Sequence, residues 1–287
     1  GIVVGGLVPA VFESRPSGSE LAARSWKSLR QAFKAMPAFY VGTFLICSLP
    51  AIGLDVVMTY PAQAAALLHV APLSTAFALS AAALQGVMSL AVIAIAAVAT
   101  HRFILLDDIH PKVGRIGLQF FLWLALVVIV LVLLDVAKAL DRKVMPDSGL
   151  TVGIGCAIWV MKLVVGVYCA LIFPAVAIGE PTLSLQDRIE TSWERMDGNF
   201  WLFFRADIVA LLPLILAMVL SILVIGILPL SVMIRMSGFV PALNILETIV
   251  RAIINLLSFP IFMVQAAIAS WLYAWVRRAP ELVEITP

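Results

Sequence analysis

Polar residues along this chain gather in short clusters, and six long stretches between them are almost wholly apolar. The stretches run from about Phe39 to Met58, Thr75 to Leu106, Ile116 to Leu134, Thr151 to Ile178, Ala206 to Leu228 and Ile245 to Val276. A bilayer core is crossed by about 20 apolar residues in helical form, so each stretch is long enough to span. In lipid every backbone polar group must be satisfied within the segment, which selects helices over isolated strands. A membrane β-barrel would alternate apolar and polar positions. The run from Val127 to Leu134 has no alternation and excludes that architecture. The pattern predicts an all-α integral membrane fold, one polytopic domain over residues 1–287, with its spans paired as three hairpins.

Two of the polar clusters carry a helical period of their own. Leu21, Ala22, Trp26, Leu29, Phe33 and Met36 recur on one face, opposite Arg24, Lys27, Arg30, Gln31 and Lys34. Further on, Leu185, Ile189, Met196 and Phe200 oppose Asp187, Arg188, Glu190, Glu194 and Arg195. Amphipathic helices lying along a membrane interface are expected over residues 18–36 and 184–199. Each opens on Ser-x-x-acid, a capping-box-like start, at Ser17/Glu20 and Ser184/Asp187. The two also align at a constant offset of 167 residues. Ser17, Glu20, Ser25, Trp26, Leu29 and Phe33 fall on Ser184, Asp187, Ser192, Trp193, Met196 and Phe200. This is an internal repeat in which an interfacial helix leads into a hairpin. The middle hairpin is preceded only by the shorter stretch from Asp107 to Gly117.

Composition agrees with the pattern. Of 287 residues 63% are hydrophobic and 13% charged, and the mean hydropathy is +1.09. A soluble domain has roughly 25% charged residues. The net charge of +2 and the lack of a Lys/Arg run give no basis for nucleic-acid binding. Position matters more than sum. Arg15, Arg24, Lys27, Arg30, Lys34, Arg102, Lys112, Arg115, Arg188, Arg195, Arg205, Arg277 and Arg278 fall on one side of the predicted spans. Only Lys138, Arg142, Lys143, Arg235 and Arg251 fall on the other, and the loop from Thr59 to Ser74 has none. By the positive-inside rule both termini are expected in the cytoplasm. Among seven Trp residues, Trp26 and Trp193 are expected to anchor the interface, together with Arg102. Cys47, Cys156 and Cys169 lie in apolar runs without a Cys-x-x-Cys pair and read as small buried residues. Ile2 to Val11 lacks a basic flank before it and is not expected to be a signal peptide.

The chemistry offered is sparse. No His-Glu-x-x-His, Walker loop or Gly-x-Ser-x-Gly elbow occurs, so no catalytic, metal or cofactor-binding residue is assigned and no cofactor is expected. Gly153-Ile154-Gly155 lacks the third glycine of a nucleotide loop and suits close helix packing. His101, Arg102, Asp107, Asp108 and His110 form the densest polar cluster. It reads either as a metal or phosphate site, or as a helix end with Arg102 at lipid phosphate and Asp107 capping the next segment. Lys162 lies deep in the fourth span, where a Lys costs roughly 2.5–3.5 kcal/mol on insertion scales. A compensating partner is expected, with Asp55, Asp207 and Glu247 as candidate acids, and the residue is either structural or part of a pathway. Ala81 to Ala83, Gly86 and Ser89 make the second span small and suited to the bundle interior. Pro213 and Pro260 are expected to kink the fifth and sixth spans.

One resemblance adds to this. Phe173-Pro174-Ala175, then Glu180, then Ser192 to Trp201 (SWERMDGNFW) resembles bacterial six-helix inner-membrane proteins related to the membrane domain of glycerophosphodiester phosphodiesterases. His101 to Leu106 is similar to alphaproteobacterial membrane proteins. The likeness implies a bacterial inner membrane and carries no established activity. Within these residues there is no phosphodiesterase catalytic domain, so that activity is not transferred. The expected function is a non-enzymatic polytopic inner-membrane protein, an accessory or scaffold subunit whose partners are the lipid bilayer and other membrane-protein subunits. A transporter or flippase of a lipid-like or apolar small molecule is the alternative, motivated by the repeat, the prolines and Lys162. An enzyme acting on lipid headgroups at the His101 to His110 edge is a third reading.

Overall fold

The computed structural model describes residues 15–59, 75–109, 114–144, 149–180, 184–227 and 239–283. Among these there is no strand. The helices are α1 (Gly18–Ala35), α2 (Pro37–Thr59), α3 (Thr75–Leu106), α4 (Gly114–Val144), α5 (Gly149–Cys169), α6 (Ile172–Ala177), α7 (Leu185–Met196), α8 (Phe200–Ser221) and α9 (Phe239–Val283). A π-helical turn over Ile222–Ile227 continues α8. Six stretches are long and apolar enough to cross a membrane: Pro37–Met58, Ser80–Leu106, Gly114–Ala137, Gly153–Ala177, Phe200–Val224 and Glu247–Arg277. The chain is an all-α, multi-pass membrane protein.

Three departures from the predicted spans have local causes. The third helix runs on to Val144, beyond the apolar run, so Asp135 is helical and not a loop residue. The fourth span is not one helix: it breaks at Ala170–Leu171 between α5 and α6. Pro174 explains the break, since its ring clashes with the carbonyl four residues back, at Ala170, and it has no N–H to donate there. The fifth helix starts at Phe200 rather than Ala206, because Phe200 to Phe204 extend its apolar face. Pro50 and Pro213 sit inside continuous helices, as does Pro260.

The second half of α9 is the hub of the bundle. It packs against α1, α2, α3, α6 and α8. Of its spanning window 44% is buried, against 6% for α8. Met263, Val264, Ala267, Ile268, Leu272 and Tyr273 are closed off almost completely. Beside it the second half of α3 presents Ala94 and Ala96 to Ala99, all buried, so two backbones approach closely. The sequence expectation for α3 is corrected here. Ala83 and Gly86 are exposed and Ala81, Ala82 and Ser89 only half-buried; the close-packing segment lies one to two turns further on.

Both amphipathic helices form, each with its serine cap. Ser17 Oγ accepts from the Glu20 N–H at 3.2 Å and Ser184 Oγ from the Asp187 N–H at 3.1 Å. Each leads into one hairpin and docks on another. α1 precedes α2 and α3 but lies mainly on α8 and α9, whereas α7 precedes α8 and α9 but lies mainly on α5. The buried face of α1 is Leu21, Ala22, Ser25, Ser28 and Ala32. This face shares Leu21 and Ala22 with the apolar stripe but is rotated from it toward Ser25, Ser28 and Ala32, and Phe33 is left 47% exposed. The small residues face the protein because helices must come close there. A Cβ on Gly18 would meet Arg205 Cβ at 2.9 Å and the Ala206 nitrogen at 3.2 Å. The repeated tryptophans part company. Trp26 is half-buried and donates from Nε1 to the Ala210 carbonyl at 2.9 Å, whereas Trp193 is 44% exposed against the Tyr168 ring.

Candidate functional site

The polar groups that composition makes scarce collect in two places. The larger collection lies at the end of the bundle that carries α1 and α7. It begins with the way α6 stops. Gly179 takes the left-handed conformation at φ +74, the Gly179 N–H bonds to Val176 O, and the Glu180 N–H bonds to Ala175 O at 3.0 Å. This is a Schellman ending, for which glycine is the favoured residue. It leaves the Ala177 carbonyl free for Arg102 Nη1 at 3.2 Å, and it turns Glu180 back toward α7 and α9.

Glu180 then ties three elements together. Arg195 Nη1 and Nη2 each reach its carboxylate at 3.1 Å in a two-pronged pairing, and Tyr273 Oη donates to Oε2 at 2.8 Å. The Arg195 guanidinium also lies over the Tyr273 ring at 5.3 Å, and Arg188 Nη2 donates to the Glu180 carbonyl at 3.4 Å. Burial alone would raise the Glu180 carboxyl. The hydrogen bonds from Arg195 and Tyr273 and the charges of Arg195 and Arg277 outweigh it, so its pKa lies below the ordinary value. The bond to Glu180 raises Arg195, while burial lowers Arg188. Arg195 and Glu180 both stand in the stretch from Phe173 to Trp201, and hydrophobic pattern alone gives them no partner. The signal was there: a Pro-x-x-x-x-Gly-Glu ending followed by an amphipathic turn with Arg.

The other members of the predicted cluster are built into the same end. Arg102 is 9% exposed and pairs with Asp108 through Nε and Nη2 at 2.9 and 2.7 Å. Asp108 and the Ala177 carbonyl together engage three of its five N–H groups. Asp107 does not cap the next helix. It ends α3 in the left-handed conformation at φ +53, which Asp tolerates better than most residues. His101 is 1% exposed and shares a 2.7 Å hydrogen bond with Ser270 Oγ. Tyr40 Oη and Thr100 Oγ1 lie 2.8 Å apart, and Trp271 Nε1 donates to Ser28 Oγ. His110 lies outside the described residues. Among those described, no three His, Cys, Asp or Glu converge as a metal site.

The second collection is within the spans. Lys162 Nζ meets Asp135 Oδ1 at 2.5 Å, an acid on the neighbouring α4 rather than any of the three candidates. Asp55 accepts from Asn255 Nδ2 at 2.5 Å, Asp207 from Gln265 Nε2 at 3.4 Å, and Glu247 pairs with Arg251 at 2.7 Å. Side chains on a helix lean toward its N-terminus. Lys162 thus reaches toward the Gly149 end of α5, where Asp135 stands two residues before the close of the α4 apolar window at Ala137. Asp135 was missed because it was taken as the end of a span. Its side chain is 63% exposed, that of Lys162 only 24%. Around the pair, Cys156, Trp159, Val160 and Met161 are exposed, which corrects the reading of Cys156 as buried.

No family model matches this chain, and neither a curated protein nor a solved structure does.

Proposed function

We propose that this protein is a non-enzymatic accessory or scaffold subunit of a larger membrane assembly, in the inner membrane of a bacterium with both termini cytoplasmic. One observation supports the subunit reading above others. The intramembrane lysine pairs at the periphery, on the α4/α5 hairpin, with an aspartate whose outer flank is open. A carboxylate on the outward face of a spanning helix is costly in hydrocarbon. A neighbouring helix that covers it removes that cost. The orientation follows from the Lys and Arg distribution, and the bacterial membrane from the likeness of residues 173–201. Gentle extraction from native membranes tests the reading. The wild type should migrate as a discrete complex larger than the chain, and Asp135→Asn should shrink or weaken it. A wild type that migrates alone in every mild detergent contradicts it.

Transport of a lipid-like or apolar molecule is the second reading. Two carboxylate–amide pairs on α9, Asp55–Asn255 and Asp207–Gln265, favour it. Asp207 Oδ1 is buried without a hydrogen-bond partner among the described residues. Loss of uptake or export in Asp207→Asn, with normal folding, would favour transport over the subunit role.

A further inference from the structure

A groove of about 380 Å³ runs between α4 and the first turn of α7, and it borders the Glu180 collection, with which it shares Arg188. Gln119, Leu122, Trp123 and Leu126 form its α4 wall, and Ser184, Leu185 and Arg188 close its other end. The α4 residues share one helical face, at i, i+3, i+4 and i+7. They extend over about 10 Å and reach about 18 Å into a spanning stretch that starts at Gly114. Leu118, Leu122 and Leu126 are exposed beside them, so the groove opens onto the surface that lipid covers. α7 lies outside the spanning stretches. One end of the groove is therefore apolar and at chain depth, the other polar and at headgroup depth.

We propose that this groove holds one anionic phospholipid of the surrounding bilayer, with an acyl chain along Leu122, Trp123 and Leu126 and the phosphate at Ser184 and Arg188. Charge complementarity selects the headgroup. Among the described residues of the lining Arg188 carries the charge, and its donation to the Glu180 carbonyl holds the guanidinium beside the groove. The acidic residues of α7, Asp187, Glu190 and Glu194, are not part of the lining. The phosphate also meets the first turn of a 12-residue helix, where N–H groups lack intrahelical acceptors and the helix dipole favours an anion. A zwitterionic lipid fits the apolar wall equally well but gains less from Arg188. The volume suits part of one chain, so the rest of the lipid stays in the bilayer.

Trp123 supplies the readout. The protein is reconstituted in nanodiscs of phosphatidylcholine with increasing phosphatidylglycerol, one lipid at a time carrying brominated chains that quench tryptophan. Subtracting the same titration of Trp123→Phe isolates the Trp123 signal. Brominated phosphatidylglycerol should quench it at about five-fold lower mole fraction than brominated phosphatidylcholine, the preference one basic residue near the surface supports. Arg188→Gln should erase the preference. Leu122→Phe, which narrows the groove without adding a fluorophore or touching the Glu180 network, should weaken the saturable component for both lipids. Equal quenching by the two lipids in the wild type overturns the proposal, as does a preference that survives both variants. Relief of quenching by inorganic phosphate would overturn it in favour of a free-anion site.

Discussion

Two of the ion pairs in this molecule, Glu180–Arg195 and Asp135–Lys162, differ in almost every respect that governs their worth. Glu180–Arg195 joins α6's exit to α7, accepts a third bond from Tyr273 of α9, and lies under an aromatic ring contact. Asp135–Lys162 joins only the two helices of one hairpin, and one side of it is open. The first is embedded in a network that satisfies its members. The second has no third partner recorded among the described residues and sits on the hairpin whose windows are 11% and 17% buried. A charged pair at the satisfied end specifies how elements join. A charged pair on an open face marks where the structure is incomplete without lipid, water or another protein.

Removing one partner separates the two most sharply. Glu180→Ala leaves Arg195 and Tyr273 without their acceptor in a half-buried place. Breaking a buried pair costs roughly 3–5 kcal/mol, and partial exposure here reduces that to about 2–3 kcal/mol. Thermal unfolding in lipid or mild detergent should show the loss, accompanied by detachment of α7 as faster hydrogen exchange over Leu185–Met196. The same pair sets an acid limit. Because the folded Glu180 pKa is depressed, its contribution is fully present above the ordinary value of 4.5 and is lost as pH falls through the lower folded value. In Glu180→Ala that part of the acid sensitivity should vanish.

Gly18→Ala is the next largest. An alanine ordinarily favours a helix over glycine by about 1 kcal/mol. Here its Cβ would sit 2.9 Å from Arg205 Cβ. Overpacking of this kind costs about 1–3 kcal/mol, so the variant should be less stable despite its better propensity. A gain in melting temperature would show that α1 does not dock closely on α8.

Lys162→Met should have the smallest effect on the isolated chain, within about 1 kcal/mol of the wild type, because a pair with one side open contributes only about 0–1 kcal/mol. Asp135 stays on the open flank, 63% exposed, where water in the detergent solution reaches it. A loss as large as that of Glu180→Ala would erase the distinction between the two pairs.

Much of the architecture was legible from hydrophobic pattern alone. The six spans, both amphipathic helices and their serine caps follow from local rules, and α3 begins and ends where the apolar pattern does, at Thr75 and Leu106. What escaped was tertiary. Pro174 breaks the fourth span through a carbonyl four residues away, a rule readable in the sequence but hidden by the surrounding apolar run. Asp135 was discounted because hydropathy ends a span where a charge appears, although the helix continues for nine residues to Val144. The buried face of α1 uses Ser25 and Ser28, since close docking on α8 and α9 rewards small size over hydrophobicity. Glu180 and Arg195 are 15 residues apart, across a turn and a helix start, and no periodicity links them.

The subunit reading stands or falls on what covers the open hairpin face in the native membrane. A photo-reactive residue at Trp159, 63% exposed on α5, reports that face, and one at Leu212, 59% exposed on α8, reports an apolar surface without a charge pair. Irradiated in intact cells, the Trp159 position should give one discrete protein adduct that Asp135→Asn diminishes, while the Leu212 position gives lipid adducts only. Lipid adducts alone at both positions would contradict the account.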